Sequence, residues 1–222
     1  MIGMIEQEWK TVQPKVWASS FLLVIGFCSV SYYYLDIPIA SYFRAVDPRV
    51  ESTFRYITSL GKSTWYLVAS MLVFVVSKYL YHKELISGKA IFVFLAIAIS
   101  GIVNNSIKYS LGRYRPRALF YDYLYGFSYF GFSYSVTSFP SGHANTITAL
   151  MLALYFLIPE YRWLYLTIAV LVIASRVVLC DHFLSDVVFG SYLAILTTVY
   201  VKSAFIRRRI EIFPGVLKGQ AI

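Results

Sequence analysis

Apolar residues gather in six blocks along the 222-residue chain, separated by connections that carry most of the charge. Such blocks reach or approach the ~20 apolar residues that a helix needs to cross a bilayer, and basic residues flanking the shorter ones can extend to the interface. The blocks are residues 16–34, 64–77, 90–107, 144–158, 163–175 and 187–201. The pattern predicts an all-α, integral-membrane bundle of six transmembrane helices, with residues 1–222 forming a single domain.

The connection between the first two blocks, residues 36–63, carries helix signals of its own. Asp47 followed by Pro48 is typical of a helix cap and the first helical residue. Val50, Phe54 and Ile57 then recur at helical spacing. We therefore expect two short helices here, lying on the membrane surface.

Composition supports a membrane protein. Hydrophobic residues make up 59% of the chain and charged residues 14%, against roughly 25% charged in soluble domains. The net charge of +9 is attributed to basic residues that set the orientation in the membrane and contact anionic lipid, so no nucleic-acid partner is expected. Cys28 and Cys180 provide no disulfide framework and are expected to be free thiols.

Six crossings have a consequence for topology. The ends of the third and fifth spans and the starts of the fourth and sixth then face one side of the membrane. Lys and Arg are somewhat more frequent on the other side, with the termini, which the positive-inside rule assigns to the cytoplasm. Glu6, Glu8 and the lack of a cleavage site predict that the first span is retained in an inner (cell) membrane.

Three polar segments fall on the opposite, periplasmic or extracellular side, and the first runs from Lys108 to Pro116. Lys108 and Arg115 are seven residues apart, close to two helical turns, so both side chains can point to one place. Because Arg115 precedes proline, the segment is expected to leave the helix and enter a loop. Arg113 and Arg117 add to this basic patch. The alternative is an ordinary juxtamembrane basic cluster.

The second segment, Pro140-Ser141-Gly142-His143, precedes the fourth block. Ser141 is a suitable helix cap, and Gly142 lets the backbone approach an anion closely. A helix start presents free N–H groups and partial positive charge, which suits a phosphate, and His143 would face it. The alternative is a capped helix with an interfacial histidine.

The third segment contains Ser175-Arg176, His182 and Asp186. On a helix, residues four apart share a face, so the carboxylate could bond one imidazole nitrogen of His182 and leave the other free to attack. The alternative is a local polar pair at a capped helix start.

Together the three segments match the needs of phosphoryl transfer, in which negative charge is spread over three oxygens. Lys108, Arg115 and Arg176 would stabilise that charge, while one histidine attacks phosphorus and the other protonates the leaving oxygen. No Asp/Glu cluster suited to Mg²⁺ accompanies them, so neither a metal nor another cofactor is predicted.

The order Lys-x6-Arg-Pro, Pro-Ser-Gly-His and Ser-Arg-x5-His-x3-Asp, complete over residues 108–186, resembles the type 2 phosphatidic acid phosphatase superfamily. This superfamily shares its site with vanadium haloperoxidases and bacterial acid phosphatases. The resemblance implies that His182 is the nucleophile and forms a phospho-histidine, that Asp186 orients it, and that His143 is the general acid. The implied phosphate ligands are Lys108, Arg115, Ser141, Gly142 and Arg176.

The resemblance implies a metal-independent lipid phosphatase and leaves its substrate open among undecaprenyl diphosphate, phosphatidylglycerophosphate, phosphatidate and lipid A. A lipid phosphotransferase using the same intermediate is one alternative, and a non-catalytic protein that binds or transports anionic lipids is another. The aromatic residues of 119–134 are interpreted as an interfacial anchor rather than a lip facing the substrate. The sequence does not fix the oligomeric state.

Overall fold

The computed structural model describes residues 14–45 and 47–213, and the regular structure in these ranges is helical. Helix α1 (Pro14–Val30) continues through a π-helical turn (Ser31–Leu35) into α2 (Asp36–Phe43). The other helices are α3 (Pro48–Ser59), α4 (Ser63–Val75, followed by a π-helical turn at Val76–Leu80), α5 (Glu84–Leu111), α6 (Pro116–Asp122), α7 (Gly142–Leu157), α8 (Arg162–Val178) and α9 (Leu184–Arg207). Short 3₁₀ turns lie at Tyr134–Val136 and Pro159–Tyr161. The prediction of an all-α membrane protein is confirmed.

Five helical stretches in the described ranges are long and apolar enough to cross a membrane: Lys15–Phe43, Pro48–Leu80, Glu84–Leu111, Pro159–Val178 and Leu184–Arg207. The remaining predicted span, the fourth, corresponds to α7, which has 16 residues. A helix of that length extends ~24 Å, less than the ~30 Å hydrocarbon core of a bilayer. Six complete crossings therefore stay a prediction.

The connection after the first span differs from the expectation in one respect. The first helix does not end near residue 34 but continues through the π-helical turn to Phe43. Helix α3 begins as predicted, since the Asp47 side chain accepts a hydrogen bond from the Arg49 N–H at 2.7 Å and Pro48 is the first helical residue. The surface location of these helices stays a prediction, and both termini lie outside the described residues.

Helix α7 lies at the centre of the bundle, packed against α5, α8 and α9. One buried cluster takes a residue from each of these four helices: Ile97, Ile147, Val172 and Ala194. Large apolar side chains such as Leu23, Leu72 and Ile102 instead point outward. Because lipid tails can cover an apolar exterior, this arrangement suits a chain surrounded by a bilayer.

The C-terminal ends of α5 and α8 and the N-terminal ends of α7 and α9 meet at one end of the bundle. The Ser141 N–H, before α7, donates to the Asp186 carbonyl oxygen in α9 at 3.0 Å. Gly190 makes this approach possible, because a Cβ there would lie 2.6 Å from the Ser141 carbonyl oxygen. The three polar segments therefore meet at this end of the bundle.

Candidate active site

The two cations of the first segment meet at one carbonyl group. Helix α5 ends because Gly112 adopts the left-handed conformation (φ 58°), and Arg115 is extended, as the following proline predicts. The Lys108 Nζ and an Arg115 terminal nitrogen then both donate to the Thr137 carbonyl oxygen, at 3.0 and 3.1 Å. Their proximity arises across a helix end, and not along a continuous helix as the seven-residue spacing suggested.

Arg115 is held by backbone acceptors on two further sides. It donates to the carbonyl oxygens of Tyr134 at 2.8 Å and Asp181 at 3.0 Å, and its guanidinium stacks 3.9 Å from the Tyr134 ring centroid. These bonds and the one to Thr137 engage three of the five N–H donors of a guanidinium. Two donors stay available for an anion.

Arg176, near the end of α8, is positioned by two side chains that the sequence analysis did not single out. One terminal nitrogen donates to the Thr58 hydroxyl of α3 at 2.6 Å, and the other forms an ion pair with Asp181 at 2.9 Å. Its Nε is buried without a hydrogen-bond partner among the described residues. Helix α3 thus contributes directly to the site.

The start of α7 is capped as predicted. The Ser141 side chain accepts a hydrogen bond from the Ala144 N–H at 3.5 Å. The N–H groups of Gly142 and His143 find no acceptor in the part of the chain that the structure describes. These free N–H groups are a suitable cradle for an anion.

The His143 imidazole lies against the turn between α3 and α4. A Cβ on Gly61 would come within 2.6 Å of the His143 Cδ2, so the turn touches the ring directly. Beside His143 lies a cleft of about 720 Å³ between α4, α5 and α7, whose lining includes Lys62, Trp65 and Asn105. The cleft gives this side of the site room for a large group.

His182 lies in the loop between α8 and α9 and is 2% exposed. Burial first, and then the positive charges of Arg115, Lys108 and Arg176 and the neighbouring His143, hold its pKa well below the usual range. The imidazole is therefore neutral and carries a free lone pair. Two of the predicted cations also contact the chain at His182, since Arg115 donates to the carbonyl oxygen of the preceding residue, Asp181, and the His182 N–H donates to the Arg176 carbonyl oxygen at 3.1 Å.

Asp186 lies beside His182 without bonding to it. His182 precedes α9, so the two residues do not share a helical face as predicted. The His182 Nδ1 is 3.7 Å from the Asp186 Oδ2, which instead accepts the Phe183 N–H at 2.9 Å and the Ser138 hydroxyl at 2.5 Å. An approach of about 0.5 Å would bring the His–Asp pair to hydrogen-bond distance.

Arg113 differs most from its sequence interpretation. It is 1% exposed and forms ion pairs with Asp36 at 2.8 Å and Asp186 at 2.5 Å, so it does not belong to an open basic patch. Burial by itself would lower the Arg113 pKa, but the two carboxylates outweigh burial and raise it. A lone acidic residue at the end of an apolar run, Asp36, was the signal that could have revealed this pair.

The predicted site residues thus gather at one end of the bundle. They are Lys108, Arg115, Ser141, Gly142, His143, Arg176, His182 and Asp186. Cations, free N–H groups and a neutral imidazole at one end of the bundle form an arrangement that can hold an anion and attack it.

The chain matches the PAP2 superfamily over residues 89–210, more than half of its length. It is similar to the lipid A 1-phosphatase of Rhizobium etli, with 28% identity over 201 residues, covering 84% of this chain and 85% of the relative. The lipid A 1-phosphatase of Rhizobium johnstonii is 27% identical over 214 residues, covering 88% and 86%.

Two solved structures share the fold. One is the transmembrane PAP2-type phosphatidylglycerolphosphate phosphatase from Bacillus subtilis, with a TM-score of 0.65 and 24% identity, covering 87% of this chain and 96% of that one. The other is Aquifex aeolicus LpxE, with a TM-score of 0.59 and 20% identity, covering 76% and 95%. The family match, together with relatives aligned over most of their length, confirms the resemblance drawn from the three segments. The chain belongs to the PAP2 superfamily and is a membrane-embedded lipid phosphatase.

Proposed function

We propose that this protein hydrolyses the phosphate monoester of a lipid through a phospho-histidine on His182, without a metal. The observation that carries the proposal is the position of the buried His182 imidazole, directly after Asp181, whose carbonyl oxygen accepts from Arg115 and whose carboxylate pairs with Arg176. A neutral imidazole keeps the lone pair that attack on phosphorus requires. The cations attract the phosphate and supply the charge stabilisation that a metal provides in other phosphoryl-transfer enzymes.

In the first step the His182 Nε2 forms a bond to phosphorus, since Nδ1 faces Asp186. The bond from phosphorus to the lipid oxygen breaks, and that oxygen takes a proton from His143, which enters this step as the imidazolium and leaves it as the neutral imidazole. In the second step His143 accepts a proton from water as the water oxygen bonds to phosphorus. The N–P bond then breaks, which releases inorganic phosphate and restores both histidines.

The donors left free by the protein can bind the phosphoryl oxygens. Arg115 keeps two N–H donors, Lys108 uses only one of its three on Thr137, and the Arg176 Nε has no partner among the described residues. The N–H groups at the start of α7 add neutral donors. All of these bonds are charge-assisted, because the phosphate that accepts them is ionised, and such bonds are about twice as strong as bonds between neutral groups.

The lipid part of the substrate lies, in this proposal, in the cleft beside His143. Nucleophile and leaving oxygen stand roughly in line on opposite sides of phosphorus, so a leaving group protonated by His143 lies on that side. The cleft combines an apolar wall with Lys62 and Asn105, which suits an amphiphile with a polar head. The named activity of the two Rhizobium relatives makes lipid A with a 1-phosphate the first substrate to test.

The proposed topology places both termini in the cytoplasm and the pocket on the periplasmic or extracellular face of the inner membrane. Lys83 directly precedes α5, Tyr123 follows α6 in the connection beyond the other end of α5, and the native cysteines are buried. We expect Tyr123→Cys to react with an impermeant maleimide on cells whose outer membrane, where present, is permeabilised. Lys83→Cys should react only after lysis. The reverse labelling pattern would contradict this topology.

Phosphate release by purified protein tests the function. Lipid A, undecaprenyl diphosphate, phosphatidylglycerophosphate and phosphatidate are compared with and without chelator, for the wild type and for His182→Ala. We expect chelator-resistant release, greatest with lipid A, and none above background in the variant. Activity that survives in His182→Ala would refute the mechanism. Label transferred to an added acceptor lipid, rather than to water, would identify a phosphotransferase.

A further inference from the structure

A second carboxylate lies behind Asp186, outside the three segments. Asp36 is fully buried at the start of α2, directly after the π-helical turn of the first span. It accepts hydrogen bonds from the Ser31 hydroxyl at 2.7 Å, the Ser185 N–H at 3.0 Å and Arg113 at 2.8 Å. π-Helical turns within α-helices are often found at functional sites. This turn brings Ser31 against the Asp36 carboxylate.

Arg113 connects Asp36 to the site. One terminal nitrogen bonds Asp186 at 2.5 Å and the other bonds Asp36 at 2.8 Å. Aromatic rings enclose the guanidinium, the nearest being Phe183 at 4.5 Å and Tyr32 at 4.9 Å from their centroids. A cation so enclosed is screened little by water, and its field reaches its neighbours strongly.

The charges of Asp36, Arg113 and Asp186 together indicate what Asp36 does in the site. Asp186 and Arg113 alone form a pair with no net charge, and the guanidinium would cancel much of the negative potential that Asp186 exerts on His182. With Asp36 the group of three carries a net charge of −1. During attack on phosphorus His182 becomes positively charged, so that negative potential stabilises the transition state more than the ground state.

We propose that Asp36 is a positioning residue that offsets the charge of Arg113, so that Asp186 can orient His182 and stabilise its developing charge. Arg113 in turn fixes the Asp186 Oδ1, leaving Oδ2 on the side of the imidazole. The inference rests on the proposed role of His182 as nucleophile. It assigns a part in the reaction to a first-span residue that contacts no substrate.

The test compares two variants by net charge. Asp36→Asn leaves the group of three neutral, whereas Asp36→Asn combined with Arg113→Gln returns it to −1 with more hydrogen bonds lost. We expect the single variant to lower kcat by about tenfold, the effect of one pKa unit of lost charge stabilisation. KM and inhibition by inorganic phosphate should change less than about threefold, since the phosphate ligands are intact. The double variant should recover at least about threefold in kcat over the single one.

A purely structural role gives the opposite order, because the double variant removes more contacts than the single one. A folded double variant with kcat equal to or below that of Asp36→Asn would overturn the proposal. Thermal unfolding in detergent checks the fold of each variant. If Asp36→Asn does not fold, the double variant is compared with the wild type instead. A kcat of the double variant within about tenfold of the wild-type value supports the proposal, and a larger loss in folded protein overturns it.

The two proposals can fail separately. Activity in His182→Ala would remove the phospho-histidine mechanism and this inference with it. An enzyme that depends on His182 but whose Asp36→Asn variant keeps the kcat of the wild type would refute only the role of Asp36.

Discussion

The contact between α9 and the start of α7 can be tested by adding a single methyl group. Gly190 faces the backbone of Ser141, and a Cβ there would lie 2.6 Å from the Ser141 carbonyl oxygen and 3.2 Å from its nitrogen. Both are backbone atoms and cannot rotate away as a side-chain tip could. Gly190→Ala must therefore move the two helices apart.

The displacement is small but falls within the site. Ordinary contact begins near 3.4 Å, so the helices must separate by about 0.8 Å. Overpacking of this kind costs about 1–3 kcal/mol of stability. The shift also separates the N–H groups of Gly142 and His143 from His182, and misplacement by about 1 Å can reduce turnover ~100-fold. We expect kcat/KM to fall roughly 10- to 100-fold.

Phosphate release and thermal unfolding of the purified variant measure both effects. Gly26→Ala is the matched control, because its Cβ would meet no atom within 4 Å, and alanine is the better helix former. The control should keep full activity and unfold no earlier than the wild type. Wild-type kcat/KM and stability in Gly190→Ala would show that the helices do not approach as described.

Three further outcomes are expected. Gly61→Ala should lower both kcat and stability, because the new Cβ would lie 2.6 Å from the His143 Cδ2 and 2.8 Å from the His143 Cβ, which ring rotation cannot move; kinetics and unfolding together check this, and wild-type kcat would contradict it. Thr58→Val should raise KM several-fold while Thr58→Ser does not, because only serine keeps an acceptor for Arg176; equal KM values would contradict it. Because the pKa of His182 lies below 6.5, the nucleophile stays unprotonated as pH falls through 6.5, and activity is lost only at lower pH. A kcat/KM profile in which activity is already lost on acidification above pH 6.5 would refute that account.

The sequence predicted the parts of the site whose geometry is local. Ser141 caps α7 and Arg115 leaves the helical conformation for reasons contained in a few adjacent residues. That the three segments share one end of the bundle followed from the alternation of spans. Helix starts are less certain by a residue or two, so the sequence does not show that His182 precedes the helix that begins at Leu184.

Other features depend on contacts between distant parts of the chain. Arg113 resembles its basic neighbours in sequence, and only folding shows that Asp36 reaches it from the first span. Thr58 likewise meets Arg176 because α3 packs on α8. Hydrophobic periodicity does not reveal the π-helical turn that carries the first helix on to Phe43.

Trapping the intermediate tests the central claim most directly. Enzyme mixed with lipid labelled in its phosphate is quenched in base during the first turnover, since a phosphoramidate survives base and is hydrolysed in acid. The account predicts acid-labile label on the peptide containing His182, and none in His182→Ala. Label on a different residue, or a completed turnover during which the protein carries no label, would contradict it.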